Sequence, residues 1–206
     1  MIPSISFGQR FPLTTYRVYN NAKRKYENAT LYKLDCKDES DFIDVKSTIN
    51  LGLYNKQICS LMNVQRMYYA TKSKLPTDIW NEYFDEKEDK PCCMFYVTKN
   101  EEGRTIGVCQ TAPNGNGEII EHIETNYDNY YKYVGQGMIA SLGKIILKDN
   151  YNELAVFNPK NSAKEFYTEK CGFEFVSPNL LSLNRARMKE LIDNFENKTR
   201  SEIAIY

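Results

Sequence analysis

The chain has 206 residues, 42% hydrophobic and 13% aromatic, with 27 Lys and Arg set against 27 Asp and Glu. That is enough chain and apolar surface for one packed domain, and too much for a disordered one. A balanced charge gives no basic face for nucleic acid or an anionic membrane, and no stretch reaches the roughly 20 apolar residues of a membrane span.

Residues 1 to about 28 are polar and turn-rich, with Pro3, Gly8 and Pro12 early and Asn20-Asn21 later. They read as an extended arm, so 1–30 is expected as an N-terminal extension and 31–206 as the domain proper. Leu31 to Cys36 alternates as a strand does. A helix is expected from Asp38 or Ser40 to about Thr48, and a longer one from about Tyr54 to Ser73, where Ile58, Leu61, Met62, Gln65 and Tyr69 recur at helical steps. Pro76 closes that region, and the acidic stretch 81–91 reads as a solvated loop. Three strands follow, Cys92–Thr98, Thr105–Thr111 and Glu118–Thr125, joined by turns at Asn100–Gly103 and Pro113–Gly117. Asn126 to Tyr133 is a tyrosine-rich loop. Gly137–Lys148 has a helical pattern, Glu153–Phe157 is a short strand, and a helix from Asn161 or Ser162 runs to Cys171, with Gly172 in the C′ position. Phe173–Val176 is a strand, Asn184 to about Asn197 a helix, and Glu202–Tyr206 a last strand. The pattern is a mixed α/β sheet with one strand–helix–strand crossover.

Cys36, Cys59, Cys92, Cys93, Cys109 and Cys171 form no C-x-x-C pair, and His122 is the only histidine. A zinc site is therefore not expected, and no other metal is implied. Free buried thiols fit a reducing compartment, and the start of the chain lacks the basic and apolar regions of a signal peptide; both point to a cytoplasmic protein.

The segment Lys132-Tyr133-Val134-Gly135-Gln136-Gly137 lies between a strand and a helix. Glycines there let backbone N–H groups approach an anion, and the helix N-terminus adds its positive dipole end. A tight turn with a packing glycine has the same sequence. Downstream stands Asn161-Ser162-Ala163-Lys164-Glu165-Phe166-Tyr167-Thr168-Glu169-Lys170-Cys171-Gly172-Phe173.

Together these two segments, about 30 residues apart with a helix and a strand between, resemble the GNAT family of N-acetyltransferases. Their acetyl-CoA loop has Arg or Gln, two residues, Gly, one residue, then Gly or Ala. This chain has Lys132 at the first position, which keeps the charge but loses guanidinium geometry. The resemblance covers residues 92–177 well and 31–75 loosely. It implies a GNAT-type fold and acetyl transfer from acetyl-CoA to an amine by direct attack in a ternary complex. Gly135, Gln136, Gly137 and Met138 would then offer amides to the CoA pyrophosphate, with Lys132 nearby. Ile123, Glu124 and Thr125 would line the strand edge where pantetheine pairs, and Asn161 would touch the cofactor from the next helix. Tyr167 would protonate the departing thiolate, a role a phenol can fill as charge develops on sulfur. Among 16 tyrosines, a core position is the bland reading for any one.

Amine acetylation also needs a proton acceptor. Glu121 sits where some members of the family place a glutamate base, and strict alternation puts it on one face with Ile123 and Thr125, and Glu118, His122 and Glu124 elsewhere. His122 has a suitable unperturbed pKa, although a lone histidine in a strand is more often structural. Many members use no dedicated base. Tyr127, Tyr130, Tyr131 and Tyr133 can frame an acceptor, or pack against the arm or a second copy of the chain as in a homodimer. The acceptor itself, small molecule or protein, has no signature. Two other classes stay open: an acyl-CoA-binding or protein-interaction module without turnover, and a nucleotide-binding enzyme. The latter is disfavoured, because G-x-x-x-x-G-K-[ST] is missing and the loop follows an antiparallel meander.

Overall fold

The computed structural model of the chain describes residues 12–34, 84–85, 90–91, 94–125 and 131–201. The helices expected at 38–48 and 54–73, Cys92 and Cys93, residues 126–130 and the strand at 202–206 lie outside them.

Eleven strands and three helices are described. β1 (Pro12–Asn20) and β2 (Lys25–Lys33) form a hairpin. β3 (Phe84–Asp85) and β4 (Lys90–Pro91) pair only with each other. β5 (Met94–Asn100), β6 (Thr105–Asn114) and β7 (Gly117–Thr125) are the expected meander, and β8 (Tyr131–Lys132) follows. α1 (Val134–Lys148) leads to β9 (Glu153–Phe157). α2 (Asn161–Glu165) runs on into a π-helical turn, Phe166–Lys170, which ends at Gly172 with φ 74°. β10 (Glu174–Ser177), β11 (Leu180–Asn184) and α3 (Arg185–Ser201) complete the chain.

Nine strands make one sheet in the order β10-β11-β9-β7-β6-β5-β2-β1-β8. Every neighbouring pair is antiparallel except β7 and β9, which α1 connects in parallel. The fold is thus the mixed α/β sheet expected. Two elements differ from the sequence pattern. Residues 12–28, expected as an arm, are sheet, and the division expected at residue 30 falls inside β2. Polar residues dominate that stretch, yet Tyr16 and Val18 on β1, like Ala29 and Leu31 further along β2, alternate inward and are all buried. β11 was not expected either. Leu181 and Leu183 supply its buried row, but Pro178 and Asn179 beside it read as a loop.

α1 and α3 cover one face of the sheet. Gly107 on β6 lets α1 approach, since a Cβ there would lie 2.6 Å from Met138 Sδ and 2.9 Å from Val134 Cγ1. α3 is capped by Asn184, whose side-chain oxygen accepts the N–H groups of Ala186 and Arg187 at 3.0 and 3.1 Å. It buries Met188, Leu191, Phe195 and Thr199, and Gly143 of α1 gives Met188 room. Burying a Leu or Met side chain contributes about 2 kcal/mol each, so these two helices are fixed mainly by that shared core.

Candidate functional site

The site begins with a break in strand register. Along β6 and β7, Gln110 faces His122 and Thr111 faces Ile120, so Glu121 is an extra residue, a β-bulge. Gly107, Cys109 and Thr111 alternate on the face that α1 covers, and Thr125, Ile123 and Ile120 are their partners. The bulge therefore corrects the simple alternation. Glu118 shares the α1 face with Ile120, Ile123 and Thr125, whereas Glu121, His122 and Glu124 turn to the opposite face. Glu121 is exposed and accepts a hydrogen bond from Gln110 Nε2.

The bulge coincides with a second break. The parallel ladder runs Gly117–Glu153, Glu118–Leu154, Ile119–Ala155 and Ile120–Val156, and stops there. Beyond Ile120 the two strands part, and α2 with its π-helical turn stands across the gap. A cavity of about 770 Å³ fills this opening. Ile123 and Thr125 form its strand wall. Ser162, Ala163, Phe166, Tyr167 and Lys170 form the opposite wall, and Tyr131 to Gln136 with Lys198 form its mouth.

The mouth is the N-terminus of α1. The first helical hydrogen bond is Gly137 N–H to Tyr133 O at 2.8 Å. The amides of Val134, Gly135 and Gln136 thus precede any i−4 partner. The Tyr133 side chain makes no capping hydrogen bond at this end, and the first turn has no acidic residue. The preceding Tyr133 has φ 73°, a left-handed conformation that costs a non-glycine residue about 1 kcal/mol. Tyr133 is held there by stacking on Tyr26, with ring centroids 6.3 Å apart and 3° between planes.

The two glycines of the loop do different work. A Cβ at Gly137 would fall within the Tyr16 ring and 3.0 Å from Phe195 Cζ, so this glycine lets α1 pack on β1 and α3. Its amide is committed to the helix, and Met138, wholly buried, lies deeper still. A Cβ at Gly135 would lie 3.2 Å from Phe166 Cζ and 3.5 Å from Thr125 Cγ2, across the cavity. Of the residues singled out from sequence, Ile123, Thr125, Lys132, Gly135, Gln136 and Tyr167 line the cavity; Glu121, Glu124, Gly137, Met138 and Asn161 do not. Asn161 is the exposed first residue of α2, and the next two residues face inward in its place.

Sequence reasoning missed Lys170 and Lys198. Lys170 lies within the quoted motif, and its carbonyl accepts Gln136 Nε2 at 2.5 Å, which ties the π-helical turn to α1. Lys198 comes from α3, and no local pattern could have found it. With Lys132 they place three ammonium groups on the cavity, and no Asp or Glu is among the described residues that line it. None of the three forms an ion pair among the described residues. Lys132 and Lys198 instead lie 5.5 and 4.6 Å from the ring centroids of Tyr19 and Tyr133.

Tyr167 is 6% exposed, edge-on to Phe166 and Phe173 with centroids 5.3 and 5.5 Å away. Burial pushes its phenol pKa well up, and Cys109 and Cys171 add to this. It therefore keeps its proton throughout the physiological range. The thiols of Cys109 and Cys171 are also pushed up by burial, which leaves no thiolate to act as nucleophile at either position. Among the described residues there is no group of His, Cys, Asp and Glu able to hold a metal, and no helix is long and apolar enough to cross a membrane.

No family model matches the chain, and no curated protein matches its sequence. Solved structures do resemble it. One is an acyl-CoA N-acyltransferase from Klebsiella pneumoniae, 9% identical over 76% of this chain and 97% of that one, with a TM-score of 0.44. A second is the PaiA N-acetyltransferase of Thermoplasma acidophilum in complex with coenzyme A, 18% identical over 75% and 97%, with a TM-score of 0.43. A third, a KacTA–DNA complex, is 15% identical over 55% and 81%, with a TM-score of 0.43.

Proposed function

We propose that the chain is an acetyl-CoA-dependent N-acetyltransferase whose cavity takes the cosubstrate and whose acceptor is an amine. One observation carries this reading: among the described residues, a helix N-terminus with no side-chain cap and three lysines, with no lining carboxylate, stand at the mouth of a gap between two parted parallel strands. Acetyl-CoA has the matching chemistry, a polyanionic end and a slender amide-bearing arm. The amides of Val134, Gly135 and Gln136, with Lys132, Lys170 and Lys198, would hold the phosphates. The edge of β7 at Ile123 and Thr125 would pair with the pantetheine amides, as a strand edge pairs with any extended amide chain. Gly135 keeps that path clear of a side chain.

The reaction proceeds by attack of the neutral amine nitrogen on the thioester carbonyl carbon. The tetrahedral adduct collapses with cleavage of the C–S bond, and the thiolate takes a proton. Tyr167 would be the donor: burial keeps its phenol protonated, and it lines the inner wall of the cavity. The amine's proton leaves to Glu121, directly or through water. Glu121 is the first residue beyond the end of the parallel ladder and faces the side of the sheet away from α1, so donor and acceptor would meet from opposite faces of the gap.

That separation also motivates a second reading, an acyl-CoA binder without turnover, because no lining carboxylate stands at the cavity among the described residues. Release of free thiol from acetyl-CoA, followed over a panel of polyamines, amino acids and lysine peptides, separates the two. Amine-dependent release supports the enzyme. Binding of acetyl-CoA with no release for any amine supports the binder.

A further inference from the structure

The mouth of the cavity rests on a strand too short to hold itself. Among the described residues β8 has two ladder pairs, Tyr19 with Lys132 and Asn20 with Tyr131. Behind it lies a buried polar network. Asn100 Nδ2 donates to the Tyr131 hydroxyl at 2.7 Å and Asn20 Nδ2 donates to it at 3.3 Å. Asn20 Nδ2 also donates to Glu27 Oε1 at 3.2 Å, and Lys23 Nζ to Glu27 Oε2 at 3.3 Å. Asn20 thus bridges the Tyr131 hydroxyl and the Glu27 carboxylate. Glu27, Asn20 and Asn100 are 1%, 4% and 6% exposed, so each lost hydrogen bond leaves a polar group with no water to replace it.

The network joins segments far apart in sequence. Asn20 and Glu27 flank the β1–β2 turn. Asn100 closes the β5–β6 turn, its Oδ1 accepting the amides of Glu102 and Arg104 at 3.1 and 2.8 Å. Tyr131 begins the run into Lys132, the left-handed Tyr133 and the open amides of α1. The same hairpin carries Tyr19 and Tyr26, against which Lys132 and Tyr133 pack.

We propose that Tyr131 and Glu27 are positioning residues, a latch by which the N-terminal hairpin holds the phosphate-binding mouth of the cavity in its binding geometry. This rests on the reading of the cavity as an acyl-CoA site. The Tyr131 ring lines the cavity mouth while its hydroxyl reaches back into the network. Without that hydroxyl the two-pair strand loses its buried anchor among the described residues, and the strained turn at Tyr133 is free to relax. The amides and Lys132 then have to be re-ordered at each binding event, which weakens the complex but leaves the inner wall at Tyr167 as it was.

The test is calorimetric titration of acetyl-CoA into the full chain, its Tyr131→Phe variant and its Glu27→Gln variant, with hydrogen exchange of the 131–137 peptide in the free proteins. The expected results are affinity about tenfold weaker in Tyr131→Phe, faster exchange of that peptide, and a rise in KM for acetyl-CoA larger than any fall in kcat. If Tyr131→Phe does not fold, Glu27→Gln carries the test, since its amide oxygen still accepts from Asn20 while the charge is gone; a smaller loss of affinity with faster exchange is expected. Parent binding together with unchanged affinity in the folded variants overturns the latch alone, even if their melting temperatures fall. Absence of binding by the parent overturns the acyl-CoA reading, and the latch with it.

Discussion

Gly117–Ile120 and Ile123–Thr125 belong to one strand, separated by the bulge at Glu121, and differ in what lies beside them. The first half is paired on both edges, to β6 and to β9, and its Ile120 is 1% exposed. The second half keeps β6 but loses β9, and its other edge looks into a cavity walled by Tyr167 and Lys170. One half is scaffold and the other is site. A single extra residue makes the change, because it re-phases the side chains at the point where the neighbouring strand departs. Acidic groups divide the same way: Glu118 is buried in the scaffold half, and the site half turns Glu121 and Glu124 away from the lysine-lined cavity.

The comparison can be broken or sharpened by substitution. The largest effect is expected at the inner wall. Tyr167→Phe keeps the ring packing and removes the proton donor, so turnover should fall about 100-fold while calorimetric affinity for acetyl-CoA changes little. An unchanged rate would remove the acid role. The glycines come next. Gly137→Ala should destabilise the fold by about 1–3 kcal/mol, read in a urea titration, because its Cβ meets the Tyr16 ring. Gly135→Ala should fold nearly as well as the parent but bind acetyl-CoA more weakly, since its Cβ enters the cavity. If the two behave alike, the division between packing and binding glycine is wrong. Lys170→Met should weaken binding several-fold and lessen its dependence on salt, with stability unchanged.

The smallest effect belongs to the scaffold half. Burial raises the Glu118 pKa, opposed by the charge of Lys33 and by the hydrogen bond that the Tyr96 hydroxyl donates to its Oε1 at 3.4 Å. A raised carboxylate means that the folded chain holds its proton more tightly than the unfolded chain. The resulting stability is present below the ordinary glutamate value of 4.5 and is lost as pH rises through the folded value. Glu118→Gln should therefore melt higher than the parent at neutral pH and no higher in acid, with acetyl-CoA affinity unaltered. A variant that instead loses affinity would put Glu118 in the site.

Much of this plan was legible in the sequence. The meander 94–125, the crossover helix, Gly172 as a helix stop and the start of α3 at Asn184 all carry local signals, and each stands within a few residues of its expected place. The wall at Ile123, Thr125, Gly135 and Tyr167 was legible through the pairing of two motifs. What escaped were features set by tertiary contact. The bulge at Glu121 has no glycine to mark it, so alternation put Glu121 on the wrong face. The amides that precede the first helical hydrogen bond lie one to two residues earlier than the loop pattern implied, because α1 starts at Val134 and Gly137 is already inside it. Residues 12–28 read as an arm because polar residues outnumber apolar ones there, yet Tyr16 and Val18 on β1, with Ala29 and Leu31 on β2, alternate inward and fix two strands of the sheet. Lys198 on α3 stands 61 residues beyond Gly137 in sequence, and its place at the cavity is a proximity only the fold creates.

The central claim is that the gap beyond Ile120 is a polyanion-headed thioester site, and titration of acetyl-CoA into the folded full chain at two salt concentrations tests it most directly. The account predicts one acetyl-CoA per chain, bound more weakly at higher salt as the lysines are screened. A well-folded sample that gives no binding at either concentration would contradict it.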